Sequence, residues 1–316
     1  MSAVKLLENK EKKKMITRRN FFATTSLALA AAGCQTVAKR GPCAAKCSKA
    51  KFKLGMAGYS CKGLSLDETL AFLKRIDVNY LCIKNFHLPF EASDAEIATF
   101  RQKCADNGVT GYGIGPIYMD YAQKDKVRMY FDFAKRVGVK TIVGVPLEYK
   151  MFNGKKTRFE SRALCEYVSG LCKEYDMYYA IHNHGPDTPY LFPTGETTWN
   201  MVKDLDPRMG LCLDIGHDFR AKANPVDSIR RFHTRIFDMH IKNVKFDPVK
   251  NIAMPMPRGD MDMWSVVKAL AEVGYEGVCS LEYESFPPKG SKPGIKAEEV
   301  AESIGYFKGL MKAAEC

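Results

Sequence analysis

Eight short apolar runs alternate with amphipathic stretches from residue 52 to the end of the chain. The runs have the length of buried strands, whereas the stretches between them repeat their apolar residues with the helical period. Strands separated by helices indicate βαβ units and a parallel sheet, and eight units in about 260 residues match an α/β fold of the (β/α)8 barrel (TIM barrel) type. The predicted strands are Phe52–Tyr59, Tyr80–Lys84, Val109–Ile114, Lys140–Val145, Met177–His182, Met209–Asp214, Ile236–Ile241 and Gly277–Glu282.

Helix signals separate these strands. Ser65 and Asp94 stand where N-caps are expected, and Gly108, Gly138 and Gly274 stand where helices should end. A doubly wound sheet is the rival fold, but no Gly-x-Gly-x-x-Gly follows the first strand. The predicted helices are Leu66–Ile76, Ala95–Asn107, Lys126–Val137, Arg162–Tyr175, Met263–Val273 and Glu298–Lys312.

A basic and then apolar segment precedes the repeat. Arg18 and Arg19 stand directly before the apolar stretch Phe21–Ala32, an order typical of a twin-arginine (Tat) export signal. Ala31–Cys34 resembles a lipoprotein cleavage box, which would place a lipid on Cys34. An apolar stretch of about a dozen residues is too short for a comfortable transmembrane helix.

These features divide the chain into three parts. We expect a Tat or lipoprotein-type signal peptide over residues 1–33, a linker over residues 34–51 and the single barrel domain over residues 52–316. The protein is then exported, as a periplasmic protein or a membrane-anchored lipoprotein, and it meets the membrane only through its N-terminal lipid.

The net charge of +12 belongs mostly to the leader and linker. Residues 1–53 carry thirteen basic and two acidic side chains, so the rest of the chain is nearly balanced at +1. A nucleic-acid partner is therefore not supported by charge. Among the eleven cysteines, Cys82, Cys212 and Cys279 lie inside apolar runs and are expected to be buried free thiols.

Polar side chains collect where the predicted strands end. In a (β/α)8 barrel these carboxyl ends converge on one mouth, where catalytic sites lie. Converging carboxylates repel one another unless a cation lies between them, so His, Asp and Glu side chains in this position predict a divalent-metal site. The strand-end residues are Lys84 and His87 after the second strand, Glu148 after the fourth, His182 and His184 at the fifth, Asp214 and His217 at the sixth, His240 and Lys242 at the seventh, and Glu282 and Glu284 at the eighth.

Residues 52–312 resemble the xylose-isomerase-like barrel family of sugar isomerases and epimerases, which also includes endonuclease-IV-type proteins. The chain is similar to a secreted, Tat-exported bacterial subgroup of this family. The segments that carry the resemblance are Lys84–Pro89, His182–Pro186, Gly210–His217, Asp238–Lys242 and Ser280–Glu284.

The resemblance implies one bound divalent cation, Mn²⁺ first and Zn²⁺, Co²⁺ or Mg²⁺ as alternatives. In the family a Glu, an Asp, a His and a Glu from strands five to eight hold this cation, and the last three carry over to Asp214, His240 and Glu282. His182 stands where the family has its first Glu. Either His182 replaces that carboxylate as a ligand, or Glu148 reaches in from the neighbouring strand end.

The resemblance also implies proton abstraction next to a carbonyl, with the metal stabilising the enediolate that forms. Glu148, His184 and Glu282 are the acid/base candidates on this view. The candidates for contact with substrate are Lys84, His87, His217 and Lys242, of which the lysines could equally be charge partners of nearby carboxylates.

Several functions remain open at this point. The leading one is an isomerase or epimerase of a non-phosphorylated sugar or keto-sugar, because export argues against a phosphorylated substrate. A lyase or hydratase acting on a 3-keto-glycoside would use the same carbanion chemistry. Less favoured are a non-catalytic sugar-binding lipoprotein and an endonuclease-IV-like nuclease, since residues 243–262 lack the histidine that a nuclease cluster requires. The resemblance also allows a homo-oligomer.

Overall fold

The computed structural model describes residues 50–147, 149–152, 155–158, 161–185, 192–246, 252–284 and 295–315. The segment assigned to a signal peptide, Cys34, nearly all of the linker and Glu148 lie outside these residues. Within the described residues, no helix has both the length and the apolar character needed to cross a membrane.

Eight parallel strands close into a barrel, as the alternation of strand and helix patterns predicted. The order around the barrel is β1-β2-β3-β4-β7-β8-β9-β12, and β12 pairs with β1 to close it. The predicted (β/α)8 architecture is therefore confirmed. In chain order the strands are β1 Lys53–Ala57, β2 Tyr80–Ile83, β3 Thr110–Met119, β4 Thr141–Pro146, β5 Tyr149–Phe152, β6 Lys155–Arg158, β7 Tyr178–His182, β8 Met209–Asp214, β9 Ile236–Ile241, β10 Asn243–Lys245, β11 Ile252–Met254 and β12 Val278–Leu281.

The six predicted helices are present, with ends within two residues of those expected. Three more helices were not predicted, α5 to α7. They are only six to eight residues long, too short for an apolar period to stand out. The helices are α1 Leu66–Arg75, α2 Asp94–Asp106, α3 Lys124–Val137, α4 Ser161–Tyr175, α5 Gly195–Val202, α6 Ile215–Arg220, α7 Pro225–Phe232, α8 Met263–Glu272 and α9 Ala297–Ala313.

One helix start differs from the sequence prediction. Asp94 was expected to be the N-cap of α2, but the cap is Ser93 and Asp94 is the first helical residue. Ser93 forms a capping box with Glu96, in which each side chain accepts a hydrogen bond from the other residue's backbone N–H. This reciprocal pair satisfies two otherwise unpaired donors, so it determines where the helix begins.

Strand β3 is longer than predicted. The sequence prediction ended at Ile114, directly before Gly115 and Pro116, and proline cannot donate to a strand ladder. The strand instead continues to Met119 across a register irregularity between Ile114 and Ile117 in its pairing with β4. This extension carries Tyr118 to the mouth of the barrel.

All cysteines among the described residues are free and buried, as predicted for Cys82, Cys212 and Cys279. Burial raises the pKa of each of these thiols, to about 12 for Cys61 and about 11 for Cys104. They therefore pack as small apolar side chains in the core. The seven are Cys61, Cys82, Cys104, Cys165, Cys172, Cys212 and Cys279.

Candidate active site

Four adjacent barrel strands bring the proposed metal ligands to the mouth of the barrel. His182 is the last residue of β7, Asp214 is the last residue of β8, His240 lies near the end of β9, and Glu282 directly follows β12. Each of the four is at most 3% exposed. Because inward-facing side chains of parallel strands share one level in a barrel, strand pairing alone brings these residues together.

The polar atoms of these four side chains converge. His182 Nε2 lies 3.2 Å from Asp214 Oδ2 and 3.6 Å from Glu282 Oε2. His240 Nδ1 lies 3.1 Å from His182 Nε2, 3.2 Å from Glu282 Oε2 and 3.9 Å from Asp214 Oδ2. The structure therefore places together all four residues named as ligands, including the histidine that stands where the family has a glutamate.

This donor set fits a divalent cation. Three of these residues, His182, Asp214 and Glu282, each offer a ligand atom within 4.8 Å of the others, and a nitrogen of buried His217 lies within the same distance of all three. Two buried carboxylates this close repel, and a cation between them removes the repulsion. Mixed imidazole and carboxylate donors suit Mn²⁺, Co²⁺ and Zn²⁺, so the donor set does not choose among these ions.

The electrostatics of the cluster keep its carboxylates ionised. Burial opposes ionisation of Asp214 and Glu282, but Lys242 and the neighbouring histidines outweigh burial and lower both pKa values. Burial likewise opposes protonation of His182, yet the two carboxylates outweigh it and raise its pKa to about 9. Without a metal ion, a proton on His182 thus supplies part of the positive charge that the carboxylates require.

Lys242 lies among the carboxylates of the cluster. Its Nζ lies 2.7 Å from Glu282 Oε2, 2.9 Å from Asp214 Oδ2 and 3.0 Å from Glu284 Oε2. The side chain is only 2% exposed, and its carboxylate neighbours raise its pKa well above the usual value although burial opposes this. The sequence analysis left two roles for Lys242, a contact with substrate and a charge partner of nearby carboxylates. In the structure its side chain is paired with carboxylates.

His184 and His217 are neutral imidazoles beside the cluster. Their ring centroids are 4.2 Å apart. Burial, reinforced by His182 and Lys242, lowers the pKa of His184 to about 3, and burial also holds the pKa of His217 well below its usual value. The lone pair of a neutral imidazole can accept a proton, but a pKa this low makes His184 a weak base, so its surroundings do not favour the acid/base assignment.

A pocket of about 210 Å³ opens onto the cluster. It is smaller than the pockets of about 300–1,000 Å³ that hold drug-sized ligands, which suits a substrate of few atoms. Its lining combines polar side chains, among them the proposed ligands His182 and Glu282, with the aromatic rings of Tyr59 and Tyr118. The lining residues are Tyr59, Lys84, Pro116, Tyr118, His182, His184, Glu282 and Glu284.

The four proposed substrate contacts occupy different depths. Lys84 lines the pocket, and its Nζ donates to the carbonyl of Pro116 at 2.6 Å. His217 and Lys242 are absent from the described lining of this pocket. They contact each other at 3.3 Å, and Lys242 pairs with the lining residues Glu282 and Glu284. His87 is buried, with Nε2 3.3 Å from Thr69 Oγ1, and burial followed by Lys84 lowers its pKa to about 4. Among the four, direct access to the pocket belongs to Lys84.

Asn183 supports the site although the sequence analysis gave it no role. Its side-chain oxygen accepts the backbone N–H of Asp214 at 2.7 Å, and its amide nitrogen donates to the Asp214 carbonyl at 3.0 Å. The same nitrogen lies 3.3 Å from Asp218 Oδ1. This amide therefore holds the end of β8 against the end of β7. Its position between His182 and His184 was the only signal in the sequence.

Asp218 gives a testable pH dependence. Burial raises its pKa from 3.8 to about 6, and its Oδ1 accepts the Gly195 N–H at 2.7 Å. Because the folded pKa exceeds the unfolded one, ionisation increasingly favours unfolding as the pH rises from about 4 to 6. Asp218→Asn keeps an acceptor oxygen and avoids this cost, so we expect it to raise the free energy of unfolding by about 2–3 kcal/mol at pH 8.

Urea unfolding at pH 8 and at pH 4.5 checks this expectation, because the gain should be clearly smaller at the lower pH. Asp94→Asn, at a side chain that is 90% exposed, is the matched control and should show no such difference. An equal gain for Asp218→Asn at both pH values would contradict the assignment of the buried charge.

The closed parallel barrel, with its acidic and imidazole side chains gathered at one mouth, defines the class of (β/α)8 proteins that carry their site at the strand ends. Within this class, the chain belongs to the xylose isomerase-like TIM barrel family, which it matches over residues 61–310. The expected family membership is thereby confirmed.

The chain is also similar to individual proteins. It is 25% identical over 181 residues to a mannonate dehydratase of Brachyspira hyodysenteriae, covering 53% of this chain and 50% of that protein. It is 27% identical over 163 residues to a mannonate dehydratase of Thermotoga petrophila, covering 48% and 45%. The chain thus spans about half the length of these curated relatives. A D-psicose 3-epimerase from Clostridium cellulolyticum H10, solved with D-tagatose, has the same fold with a TM-score of 0.65, 17% identity, and coverage of 84% of this chain and 100% of the epimerase.

Proposed function

We propose that this protein is a metal-dependent isomerase or epimerase that removes a proton next to the carbonyl of a non-phosphorylated sugar or keto-sugar. The convergence of His182, Asp214, His240 and Glu282 within one buried cluster carries the proposal. Mn²⁺ is the proposed ion. The bound cation would polarise the carbonyl and hydroxyl oxygens of the substrate, which acidifies the neighbouring C–H.

The chain's own residues divide the remaining work. Glu282 and His184 both line the pocket, so each can reach a carbon atom held there and accept or return a proton. Lys84 lies on the same pocket and can donate a hydrogen bond to a substrate hydroxyl. Tyr59 and Tyr118 also line the pocket and offer aromatic rings against which the C–H face of a sugar can pack.

A lyase or dehydratase is the second candidate, and a specific residue favours it. An epimerase of this family uses a glutamate from strand five as one of two acid/base groups, and His182 replaces that glutamate here. The mannonate dehydratases among the relatives expel a hydroxyl group, as their name states. Loss of a substituent from the carbon next to the deprotonated one would give this outcome, for example with a 3-keto-glycoside.

Metal content tests the shared basis of both candidates. We expect elemental mass spectrometry of the full-length chain to find about one divalent ion per chain, and Asp214→Ala and His182→Ala to lose it because each removes a donor of the cluster. Retention of the ion by His182→Ala would move the fourth ligand to Glu148 or His184. A wild-type chain that takes up no Mn²⁺, Zn²⁺ or Co²⁺ would overturn the enzyme proposal and favour a sugar-binding protein.

Product analysis then separates the two candidates. The metal-loaded protein is incubated in D₂O with ketohexoses and with methyl 3-keto-glucoside, and the mixture is followed by NMR. An isomerase or epimerase incorporates deuterium into a sugar that stays intact, whereas a lyase releases methanol from the glycoside.

The location of the protein is a separate proposal. We propose export through the Tat pathway, on the strength of Arg18 and Arg19 before the apolar stretch, with lipid attachment at Cys34. Export also underlies the choice of a non-phosphorylated substrate.

A further inference from the structure

The ammonium group of Lys242 lies inside a set of four donor atoms of its own. Asp214 Oδ2, Glu282 Oε2 and Glu284 Oε2 lie 2.7–3.0 Å from Nζ, and His217 Nε2 lies 3.3 Å away. Three carboxylates and an imidazole are the donor types that bind divalent metals. The lysine therefore occupies a cation position that these side chains form.

This position shares two atoms with the proposed metal site. Asp214 Oδ2 and Glu282 Oε2 contact the lysine, and the same two oxygens approach His182 Nε2 and His240 Nδ1. The cluster is thus laid out for two neighbouring cations that share two carboxylates. The first position has imidazole donors from His182 and His240. The second has donors from His217 and Glu284, whose ligand atoms also lie within 4.8 Å of a ring nitrogen of His184.

The charges agree with one resident ammonium and one divalent ion. Asp214, Glu282 and Glu284 bring three negative charges and Lys242 brings one positive charge, so a single divalent ion balances the charges that surround the ammonium group. Two divalent ions beside the lysine would leave the cluster at 2+, an expensive charge to bury.

The backbone leaves room for the lysine in this place. Gly216 lies beside its aliphatic stem, and a Cβ atom on Gly216 would be only 2.2 Å from Lys242 Cγ and 2.8 Å from Cδ. The stem is buried, and its ammonium bonds to carboxylates from β8 and from the residues after β12. Packing of the stem and pairing of the ammonium group therefore fix Lys242 in this position.

We propose that Lys242 is a resident second cation, which takes the place of a second metal ion and limits the centre to one. The inference rests on the metal site of the proposed function. It follows that a small side chain at position 242 opens a second metal position, bounded by Asp214, His217, Glu282 and Glu284.

The test counts Mn²⁺ ions bound by the full-length chain. Wild type, Lys242→Ala and Lys242→Met are saturated with Mn²⁺, and bound ions are measured by elemental mass spectrometry after gel filtration. We expect one ion in wild type, two in Lys242→Ala, and one in the matched control Lys242→Met, which removes the charge but still fills the space. Electron paramagnetic resonance should show an isolated Mn²⁺ in wild type and an exchange-coupled pair in Lys242→Ala.

The outcomes separate the inference from the proposed function. Two ions in wild type, or a single ion in folded Lys242→Ala, would overturn the inference and leave the metal site intact. No ion in wild type would overturn the proposed function and the inference together. If circular dichroism shows that Lys242→Ala does not fold, Lys242→Ser replaces it, because its hydroxyl can bond to the carboxylates. Lys242→Ser must then bind two Mn²⁺ ions per chain.

Discussion

Replacing Glu282 with glutamine is expected to slow proton abstraction by about 10²–10⁴-fold, the usual contribution of a positioned acid/base group. Glu282 lines the pocket, and its Oε2 contacts His182, His240 and Lys242. The substitution therefore removes both a negative charge of the proposed metal site and the proposed proton acceptor. The rate is measured as exchange of the substrate C–H with D₂O at saturating Mn²⁺, followed by NMR.

Glu276→Gln is the matched control for this variant. The Glu276 side chain is 67% exposed and pairs with Lys51, so we expect full activity. Measuring bound metal in both variants separates a loss of the ion from a loss of the base. An exchange rate for Glu282→Gln within a factor of three of wild type would transfer the base role to His184 or Glu148.

Asn183→Leu is expected to lower the free energy of unfolding by about 2–5 kcal/mol, because it leaves the buried N–H and C=O of Asp214 without partners. Leucine has the same number of side-chain heavy atoms and the same branching as asparagine, so lost hydrogen bonds rather than a cavity account for the effect. Since Asn183 also fixes the end of β8, we expect the affinity for Mn²⁺ to fall by about 10–100-fold. Chemical denaturation and metal titration measure the two effects.

Asn243→Leu controls for stability alone. The Asn243 amide makes a similar set of buried hydrogen bonds, to the backbone of Met256 and to both the N–H and C=O of Met261, but it holds the β10 segment and contacts none of the proposed ligands. We expect a comparable loss of stability with unchanged metal affinity. Equal losses of affinity in both variants would show that general destabilisation, rather than the position of Asp214, weakens binding.

The barrel was predictable because each strand had a strong local signal. Runs such as Met209–Asp214 and Ile236–Ile241 are buried on both faces, and their bounds matched the structure residue for residue. The short helices were missed for the opposite reason. Helix α6 begins directly after β8, and Asp214 is its N-cap. The sequence analysis assigned Asp214 to metal binding and predicted no helix there.

The proximity of the four proposed ligand residues was predictable from the topology of the barrel. The residues that contact and position them, such as Lys242 and Asn183, were not predictable in this way. Strand ends of a closed barrel must converge, so their positions at the strand ends predicted that His182, Asp214, His240 and Glu282 lie close together. The depth of Lys242 depends on the space beside Gly216, and the role of Asn183 depends on backbone atoms of another strand. Contacts of this kind depend on three-dimensional distance and have no spacing in the sequence.

The reactivity of the buried thiols can report how often each part of the barrel opens. Cysteines lie on β2, β8 and β12 of the barrel and on the surrounding helices α2 and α4. Because each thiol is buried with a raised pKa, alkylation must wait until its segment opens and a thiolate forms. Pulsed alkylation followed by peptide mass spectrometry would therefore rank the opening rates of these segments in the unmodified chain, without any engineered label. By the same reasoning, an oxidising environment would attack these single thiols at the rate of opening.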